Sequence, residues 1–365
     1  MLPLYDQAKE AKKHTHSHAG LWYDRFFSYY DKDWVVPADD EQKKIKGKKA
    51  WVDTVVTKEG IGDTSKLKAF TVRQQALLDA CGGQSLVMST DWHFVTGMGN
   101  NHPVENGFAW HHTLGVPYLT GAAVKGMVRA WCEVWQEFDE AKIKQWFGDT
   151  KKSGELIFFD AVPTAPVKLK ADIMTLHYGK WYAEGSEEPK RDGTNLPADW
   201  HDPVPVPFLV VDKGALFQFA VSKRAGSAID LSDVTEALSN ALQWLGAGAK
   251  TAAGYGRMIT EKEYQKKQEA AQKQAQEARQ QKKNARQQTK IGNHRKGLTP
   301  AEIAKQKMKQ KANKSVNQSS HQAGVKQGNK HQGKKKQQAA NTNQTQAGQV
   351  SMDALKALQE KYNRK

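Results

Sequence analysis

The stretch that decides the fold is Gly246-Ala247-Gly248-Ala249-Lys250-Thr251-Ala252-Ala253-Gly254-Tyr255-Gly256-Arg257, with four glycines, two cations and no acidic residue. Glycine permits positive φ and close backbone approach, and successive amides in such a turn can cradle a phosphate. A helical pattern over Leu231–Leu245 precedes the stretch, and a strand pattern over Tyr255–Thr260 ends it. Walker A and dinucleotide-binding loops have the opposite order, strand before helix, and are excluded. The stretch therefore predicts a helix-to-strand loop that binds a phosphate backbone or is simply a tight connection.

Upstream of this loop, apolar runs predict alternating strands and helices. The predicted strands 206–211 and 215–221 form a hairpin that turns near Asp212-Lys213-Gly214. The order β-α-β-β-α-β predicts an α+β chain with a ferredoxin-like, RRM-like fold. The upstream prediction comprises helices over 64–80 and 120–138 and strands over 85–95, 155–162, 206–211 and 215–221.

A second glycine-rich and basic segment begins the predicted helix at 120–138. Thr120 is placed to cap this helix, and Gly121 and Gly126 leave room for another backbone. A helix N-terminus offers free amides to an anion, and Lys125 and Arg129 lie on one side of the helix at a spacing of four residues. The segment predicts either an anion-binding helix start or a helix packed closely through small residues, and the two interpretations are compatible.

Charge divides the chain sharply. The whole sequence carries a net charge of +16, but residues 261–365 hold 25 Lys and Arg against 7 Asp and Glu. The part before residue 261 is therefore slightly acidic and holds nearly all the aromatic residues needed for a core. Low hydrophobicity with high charge predicts disorder in much of the tail. The predicted boundaries are a flexible segment 1–20, a domain 21–262 with an insertion at about 180–205, a basic tail 263–350, partly helical or disordered, and a short amphipathic helix 351–365.

Several classes of protein are excluded by the same sequence. No apolar run approaches the length of a membrane-spanning helix, and residues 1–20 lack the apolar core of a signal peptide. Cys81 and Cys132 form neither a C-x-x-C pair nor a disulfide framework. The His14-x-His16-x-His18 run has no fixed fourth ligand. We expect a cytoplasmic protein without membrane association, metal or other cofactor.

Taken together, the two glycine segments resemble the RAMP superfamily of CRISPR proteins, and more closely the family of sixth subunits of type III-B (Cmr) effector complexes. RAMP domains are RRM-like and carry a glycine-rich loop between the last helix and the last strand. Further matching segments cover roughly residues 20–260.

The chain departs from the family pattern just before Lys125, where Ala122 and Ala123 stand in place of two hydroxyl residues. The other matches are Gly97–Gly99, Glu105–Gly107, His112 with Gly115–Leu119, Phe159–Ala161, Asp172–Thr175, His177-Tyr178, Asp199-Trp200 and Pro203–Leu209.

The resemblance implies a non-catalytic subunit that helps to hold guide RNA (crRNA) and target RNA at one end of a ribonucleoprotein filament in antiviral defence. Its implied partners are these RNAs and the other subunits of the Cmr complex. For His112, Asp160 and His177 we expect either a position close to the RNA or a structural role. The predicted RNA-binding residues are Gly121, Lys125, Gly126, Arg129, Gly246, Gly248, Lys250, Thr251, Gly254, Tyr255, Gly256 and Arg257.

Two alternatives stay open. Some RAMP proteins cut RNA, and a metal-independent guide-processing endoribonuclease would need a base and an acid on opposite sides of one phosphate. His111, His112, His177, Asp160 and Asp172 are the candidates for such a pair, and the sequence does not pair them. The other alternative is a stand-alone RNA-binding protein that acts through its basic tail.

Overall fold

The computed structural model describes most of the chain as far as Lys296. The chain divides into two compact units, Met1–Gln280 and Gln281–Lys365. The fold described below is that of the first unit. The described residues are 13–14, 17–40, 42–176, 178–184, 193, 195–197, 201, 203–296, 301, 304–305 and 308.

The described part of the chain is mixed α+β. Its helices begin at residues that the sequence marks as caps: Asp63 accepts from the amides of Ser65 and Lys66, and Asp230 accepts from that of Ser232. The elements are α1 Ala19–Arg25, α2 Lys48–Asp53, α3 Thr64–Cys81, β1 Gln84–Thr90, α4 Gly121–Val134, α5 Glu140–Phe147, β2 Leu156–Phe158, β3 Val162–Pro163, β4 Leu169–Leu176, α6 Gly179–Glu184, β5 Val204–Val211, β6 Leu216–Lys223, α7 Leu231–Trp244, β7 Met258–Thr260 and α8 Glu261–Lys296.

The strands form two antiparallel sheets. The larger sheet has the order β2-β6-β1-β7, with β3 also paired to β6, and the smaller one pairs β4 with β5. On one face of β6, Gln218 bonds Gln74 of α3. Because side chains alternate along a strand, Phe217 and Phe219 point to the other face, where they join the core residues of α4 and α7. The larger sheet is therefore covered by helices on both faces.

The predicted hairpin of 206–211 with 215–221 is wrong, because the two strands belong to different sheets. β5 pairs with β4 over eight residues, and β6 pairs with β1. The chain crosses between the sheets at Asp212-Lys213-Gly214, where the buried Thr90 hydroxyl donates to the carbonyl of Asp212 and accepts from the amide of Ala215. Both strands are rich in apolar residues, so local sequence does not distinguish their partners.

Other element boundaries also differ from the prediction. The first strand ends at Thr90 rather than at 95, since the chain leaves the sheet before Phe94 meets Val211 in an isolated bridge. The predicted strand 155–162 is broken between Phe158 and Val162, and the predicted strand from Tyr255 begins only at Met258. Helix α4 starts after Thr120, as predicted, but ends at Val134 rather than at 138.

The N-terminal aromatic segment packs onto the domain as its composition indicates. Tyr23 and Phe27 are fully buried, and the Phe27 ring meets Trp51 edge-on at 5.1 Å. The charged composition of residues 37–50 predicts an exposed loop. That loop ends at Gly47, because α2, which carries Trp51, begins at Lys48. Helix α1 begins at Ala19, inside the segment 1–20 for which the sequence predicts flexibility.

Helix α8 is the polar helix expected after the last strand. The side chains described along it are exposed or half-buried, and its first turn carries Glu261 and Glu263. Among the described residues no helix has both the length and the apolar character that crossing a bilayer requires. Residues 313–350 of the predicted tail and the predicted helix 351–365 lie outside the described residues.

The two cysteines differ in accessibility, which predicts selective labelling. Cys81 is exposed, whereas Cys132 is fully buried and burial raises the pKa of its thiol to about 12. Since the thiolate is the nucleophile, a disulfide reagent should modify one thiol in the native chain and two after unfolding in urea. In Cys81→Ser the native protein should release almost no chromophore. Rapid labelling of both thiols in the native protein would contradict the packing of α4.

Candidate nucleic-acid interface

The glycine-rich loop is shaped by backbone conformations that favour glycine. Gly246, Gly248, Gly254 and Gly256 all have φ between +74° and +90°. At three of them a side chain is also excluded by contact with backbone, most severely at two: a Cβ on Gly248 would overlap the carbonyl of Val95, and one on Gly256 that of Ala247. Lys250 adopts left-handed φ as well, and precedes the 3₁₀ turn Thr251–Ala253. The glycines therefore fix the loop closely against the domain.

Many amides of this loop hold it in place. The amide of Ala249 donates to Val95 O at 2.9 Å, and that of Gly256 donates to His93 O at 2.8 Å. Ala247 donates to Gly256 O across the neck of the loop at 2.8 Å. These three amides are engaged within the protein and cannot also cradle a phosphate.

The side chains of Lys250 and Tyr255 face the smaller sheet. The hydroxyl of Tyr255 donates to Asp172 Oδ2 on β4 at 2.7 Å, and burial together with this carboxylate raises the pKa of Tyr255 to about 12. Lys250 Nζ lies 3.7 Å from Met174 Sδ and 5.5 Å from the centroid of the Phe208 ring. The loop thus packs across the β4–β5 hairpin, which flanks the insertion.

A polar cluster that is absent from the sequence predictions fixes this contact. The His93 ring lies between two carboxylates, with Nδ1 at 3.5 Å from Asp172 and Nε2 at 3.4 Å from Asp212. Lys170 Nζ also reaches Asp212 at 2.9 Å. Burial raises the pKa of both carboxyls, but the hydrogen bonds they accept, including those from Tyr255 and Lys170, outweigh it and leave each pKa below its ordinary value.

No local signal marks His93 in the sequence. It follows a strand as one of twelve histidines, and its partners come from β4 and from the turn after β5. Asp172 was a candidate for catalysis, yet its carboxylate is occupied by Tyr255 and His93. The cluster is therefore a clamp between the glycine-rich loop and the β4–β5 hairpin, assembled only by folding.

The second glycine segment is held by side chains of the domain at the start of α4. The hydroxyl of Thr120 accepts from the amide of Ala123, and Asp160 Oδ1 accepts from the amide of Gly121 at 2.7 Å. The position of Asp160 at the end of an apolar run predicts a buried acceptor for loop amides. It is an acceptor, but the residue is exposed because the strand breaks there. A carboxylate thus already occupies part of this helix start.

The two basic residues of α4 differ in whether they form an ion pair with a described residue. Arg129 is paired with Glu133 at 2.8 Å and also reaches Gly148 O. Lys125 is half-buried, and no ion pair involves it among the residues that the structure describes. A Cβ on Gly126 would meet nothing within 4 Å, so this glycine leaves open space. Of the two cations, Lys125 is therefore better placed to meet an external phosphate.

The fold brings the two glycine segments to opposite sides of Val95-Thr96. Val95 accepts from the loop at Ala249, while the Thr96 hydroxyl donates to the carbonyl of Tyr118 at 2.8 Å, just before α4. The segments are more than a hundred residues apart in the sequence, and this short connection makes them neighbours. The two segments that hold the predicted RNA-binding residues are therefore both attached to Val95-Thr96.

The candidate acid–base residues are not assembled around one point in the part of the chain described. His111 Nδ1 accepts from the amides of Thr113 and Leu114, and burial lowers its pKa. His112 is exposed, and its carbonyl meets His18 Nε2 at 2.9 Å. His177 lies outside the described residues. Within the described ranges, no group of three His, Cys, Asp or Glu side chains is arranged to hold a metal ion.

Comparison with known proteins identifies the family to which this region belongs. A sequence model described as the RAMP superfamily matches residues 85–259, from β1 through the glycine-rich loop to β7. These residues belong to the RAMP superfamily. The RAMP domain therefore includes both glycine segments, the β4–β5 hairpin and the His93 cluster, and it falls inside the domain 21–262 predicted from sequence.

Two curated relatives share part of the chain. A protein named CRISPR system Cmr subunit Cmr6, from Pyrococcus furiosus, is 42% identical over 120 residues, which cover 31% of this chain and 33% of that protein. Cmr6 of Saccharolobus solfataricus is 31% identical over 88 residues, covering 24% and 30%. The matched segments thus span about a third of the length of these relatives.

Two solved structures are similar to part of this chain. A chain of the type III-B Cmr-beta complex bound to cognate target RNA has 18% identity and a TM-score of 0.47, covering 62% of this chain and 76% of that chain. The crystal structure of Cmr6 from Pyrococcus furiosus has 27% identity and a TM-score of 0.32, covering 49% and 97%.

Proposed function

We propose that this chain is a non-catalytic, RNA-binding subunit of a type III-B CRISPR (Cmr) effector complex, and that it helps to hold guide RNA and target RNA at one end of the filament in the cytoplasm. The observation that carries the proposal is the RAMP match through the glycine-rich loop, together with 42% identity to Cmr6 of Pyrococcus furiosus. The other subunits of such a complex are the proposed protein partners.

The topology of the larger sheet supports a ferredoxin-like core for the RAMP domain. Along the sheet the order is β7, β1, β6 and β2. Helix α4 connects β1 to β2, and α7 connects β6 to β7. Two interlocked β-α-β units of this kind make up the split arrangement of that fold. In this proposal β3 to β5 and α6 are insertions between the second and third core strands.

The proposed RNA surface makes a prediction about binding and its salt dependence. The combined variant Lys125→Ala, Lys250→Ala and Arg257→Ala should bind guide RNA at least about tenfold more weakly and should assemble poorly with the other subunits. If each side chain meets one phosphate of a single strand, the slope of log affinity against log salt should fall by about 2. Fluorescence anisotropy over a salt series and co-purification of the assembled complex are the measurements.

A matched control separates this surface from total charge. Lys66, Lys68 and Arg73 are exposed on α3, and replacing all three by alanine removes the same three charges elsewhere on the domain. We expect this control to assemble and to bind guide RNA as the parent does. Equal losses in both triple variants would point to binding through overall charge, as in the tail-driven alternative, and unchanged binding in the first would reject the assigned surface.

The non-catalytic part of the proposal has its own test. The purified chain, incubated with repeat RNA in EDTA, should leave the RNA intact. A discrete cut that His112→Ala abolishes would replace the proposal with the endoribonuclease alternative. RNA cleavage by the 2′-hydroxyl needs paired acid and base groups, and His112 is the exposed histidine among the described candidates.

A further inference from the structure

An exposed tryptophan lies at the rim of the glycine-rich loop. Trp92 is 48% exposed, between two residues whose backbones bond to that loop. The amide of Asp91 donates to Arg257 O at 2.9 Å, and His93 O accepts from the amide of Gly256 at 2.8 Å. The indole is therefore fixed in position next to the loop, although Trp92 is not among the RNA-binding residues predicted from sequence.

Contacts with neighbouring side chains set the orientation of the Trp92 ring. It lies against the His93 ring, with centroids 4.7 Å apart and planes 26° from parallel. His93 is itself fixed between Asp172 and Asp212. Lys213 Nζ lies 5.7 Å from the indole centroid, and this exposed, flexible side chain can move aside. A ring whose orientation is already set loses little conformational freedom when a ligand stacks on it.

The surroundings of Trp92 favour a nucleic acid over an apolar protein segment. The nearby carboxylates of Asp91, Asp172 and Asp212 are bonded to Lys267, Tyr255 and Lys170 respectively. Lysines thus offset two of these three carboxylates, and Lys213 and Arg257 add positive charge beside Trp92 and Asp91. Aromatic faces next to positively charged side chains are the usual means of binding single-stranded nucleic acid. The rim cations that the contacts place here are Lys170, Lys213, Arg257 and Lys267.

We propose that Trp92 is a base-stacking residue of the RNA site, taking the face of one RNA base while Lys213 and Arg257 meet the flanking phosphates. The inference rests on the proposed function and adds to it a contact with a base. Every base has a π-face, so the contact reads no sequence. It places one nucleotide at the junction of β1 and the glycine-rich loop.

The test compares three full-length variants by anisotropy with a fluorescein-labelled single-stranded oligouridine. Trp92→Ala should weaken binding by about 5- to 150-fold, the range of one stacked base, and Trp92→Phe should stay within about threefold of the parent. Trp135→Ala is the control, since Trp135 is 52% exposed at the end of α4, away from the loop. Measurement at about 0.3 M salt suppresses binding through the basic tail.

A second probe distinguishes stacking from charge or a structural effect. With an oligomer of the same length made of abasic sugar-phosphates, the parent and Trp92→Ala should bind equally. Equal oligouridine affinity of parent and Trp92→Ala would overturn the Trp92 inference while leaving the proposed function intact, provided that the Lys125/Lys250/Arg257 variant still loses binding. Assembly lost at unchanged RNA affinity would make Trp92 a protein contact and would also overturn the inference. Absence of RNA binding by the parent would reject the proposed function itself.

Discussion

Replacing Gly256 by alanine should lower the free energy of unfolding by about 2 to 5 kcal/mol. The residue has φ +74°, which costs a non-glycine residue about 1 to 2 kcal/mol. The new Cβ would also overlap the carbonyl of Ala247, and relieving such overpacking costs about 1 to 3 kcal/mol more. Because the neck of the loop must open, RNA binding should fall with stability. Urea unfolding followed by far-UV circular dichroism measures the change.

Two other glycines serve as matched controls for this prediction. Gly254 has φ +90° but open space around its Cβ position, so Gly254→Ala should cost only the conformational part, about 1 to 2 kcal/mol. Gly126 lies in α4, also with open space, and Gly126→Ala should stabilise the chain by about 0.5 to 1 kcal/mol. If Gly254→Ala and Gly256→Ala cost the same, the close approach of Gly256 to Ala247 contributes nothing.

Removal of the His93 ring should destabilise the RAMP domain by about 2 to 3 kcal/mol at pH 7. The ring separates Asp172 and Asp212, whose side chains are 31% and 17% exposed. His93→Ala leaves two partly buried carboxylates facing a gap, and the loss of one partner of such a group costs more than the pair contributes. Chemical unfolding at several pH values measures the effect.

The lowered pKa values of Asp172 and Asp212 determine at which pH the destabilisation by His93→Ala is seen. Asp172 and Asp212 both have a pKa below the ordinary value in the folded chain, so their contribution to stability is present above the unfolded pKa of about 3.9 and is lost as the pH falls through the folded values. The deficit of His93→Ala should therefore be full at pH 7 and shrink below about pH 4. Adding Asp172→Asn to His93→Ala should recover part of the loss at pH 7. A deficit that does not change with pH, and that the second change does not relieve, would mean that His93 acts by packing alone.

Local patterns were enough to place α3, α4, α7 and the glycine-rich loop, but not α1, α2 or α5. Asp63 marks the start of α3 and Gly82 its end. Thr120 and the apolar spacing that follows it mark the start of α4. The glycine-rich loop was identified by composition, since its positive φ values need residues without a Cβ. These features depend on a few neighbouring residues, and so one sequence is sufficient to predict them.

Strand pairing and the His93 cluster could not be predicted in the same way. β5 and β6 have similar apolar sequences and a short turn between them, yet they lie in different sheets because Thr90 fixes the turn from β1. Which carboxylates reach His93 depends on the register of β4 against β5, which sets where Asp172 lies. Such contacts join residues far apart in the chain, and no local spacing encodes them.

The sequence by itself determined an α+β domain with a glycine-rich loop before its last strand, and a separate basic tail that carries the charge excess. Tertiary structure decided how that loop is held: many of its amides bond to the domain, Asp172 accepts a hydrogen bond from Tyr255, and Trp92 lies at the rim of the loop. The physical reason is that backbone conformation and capping are set within a few residues, whereas a site depends on which distant groups satisfy one another when the sheets pack.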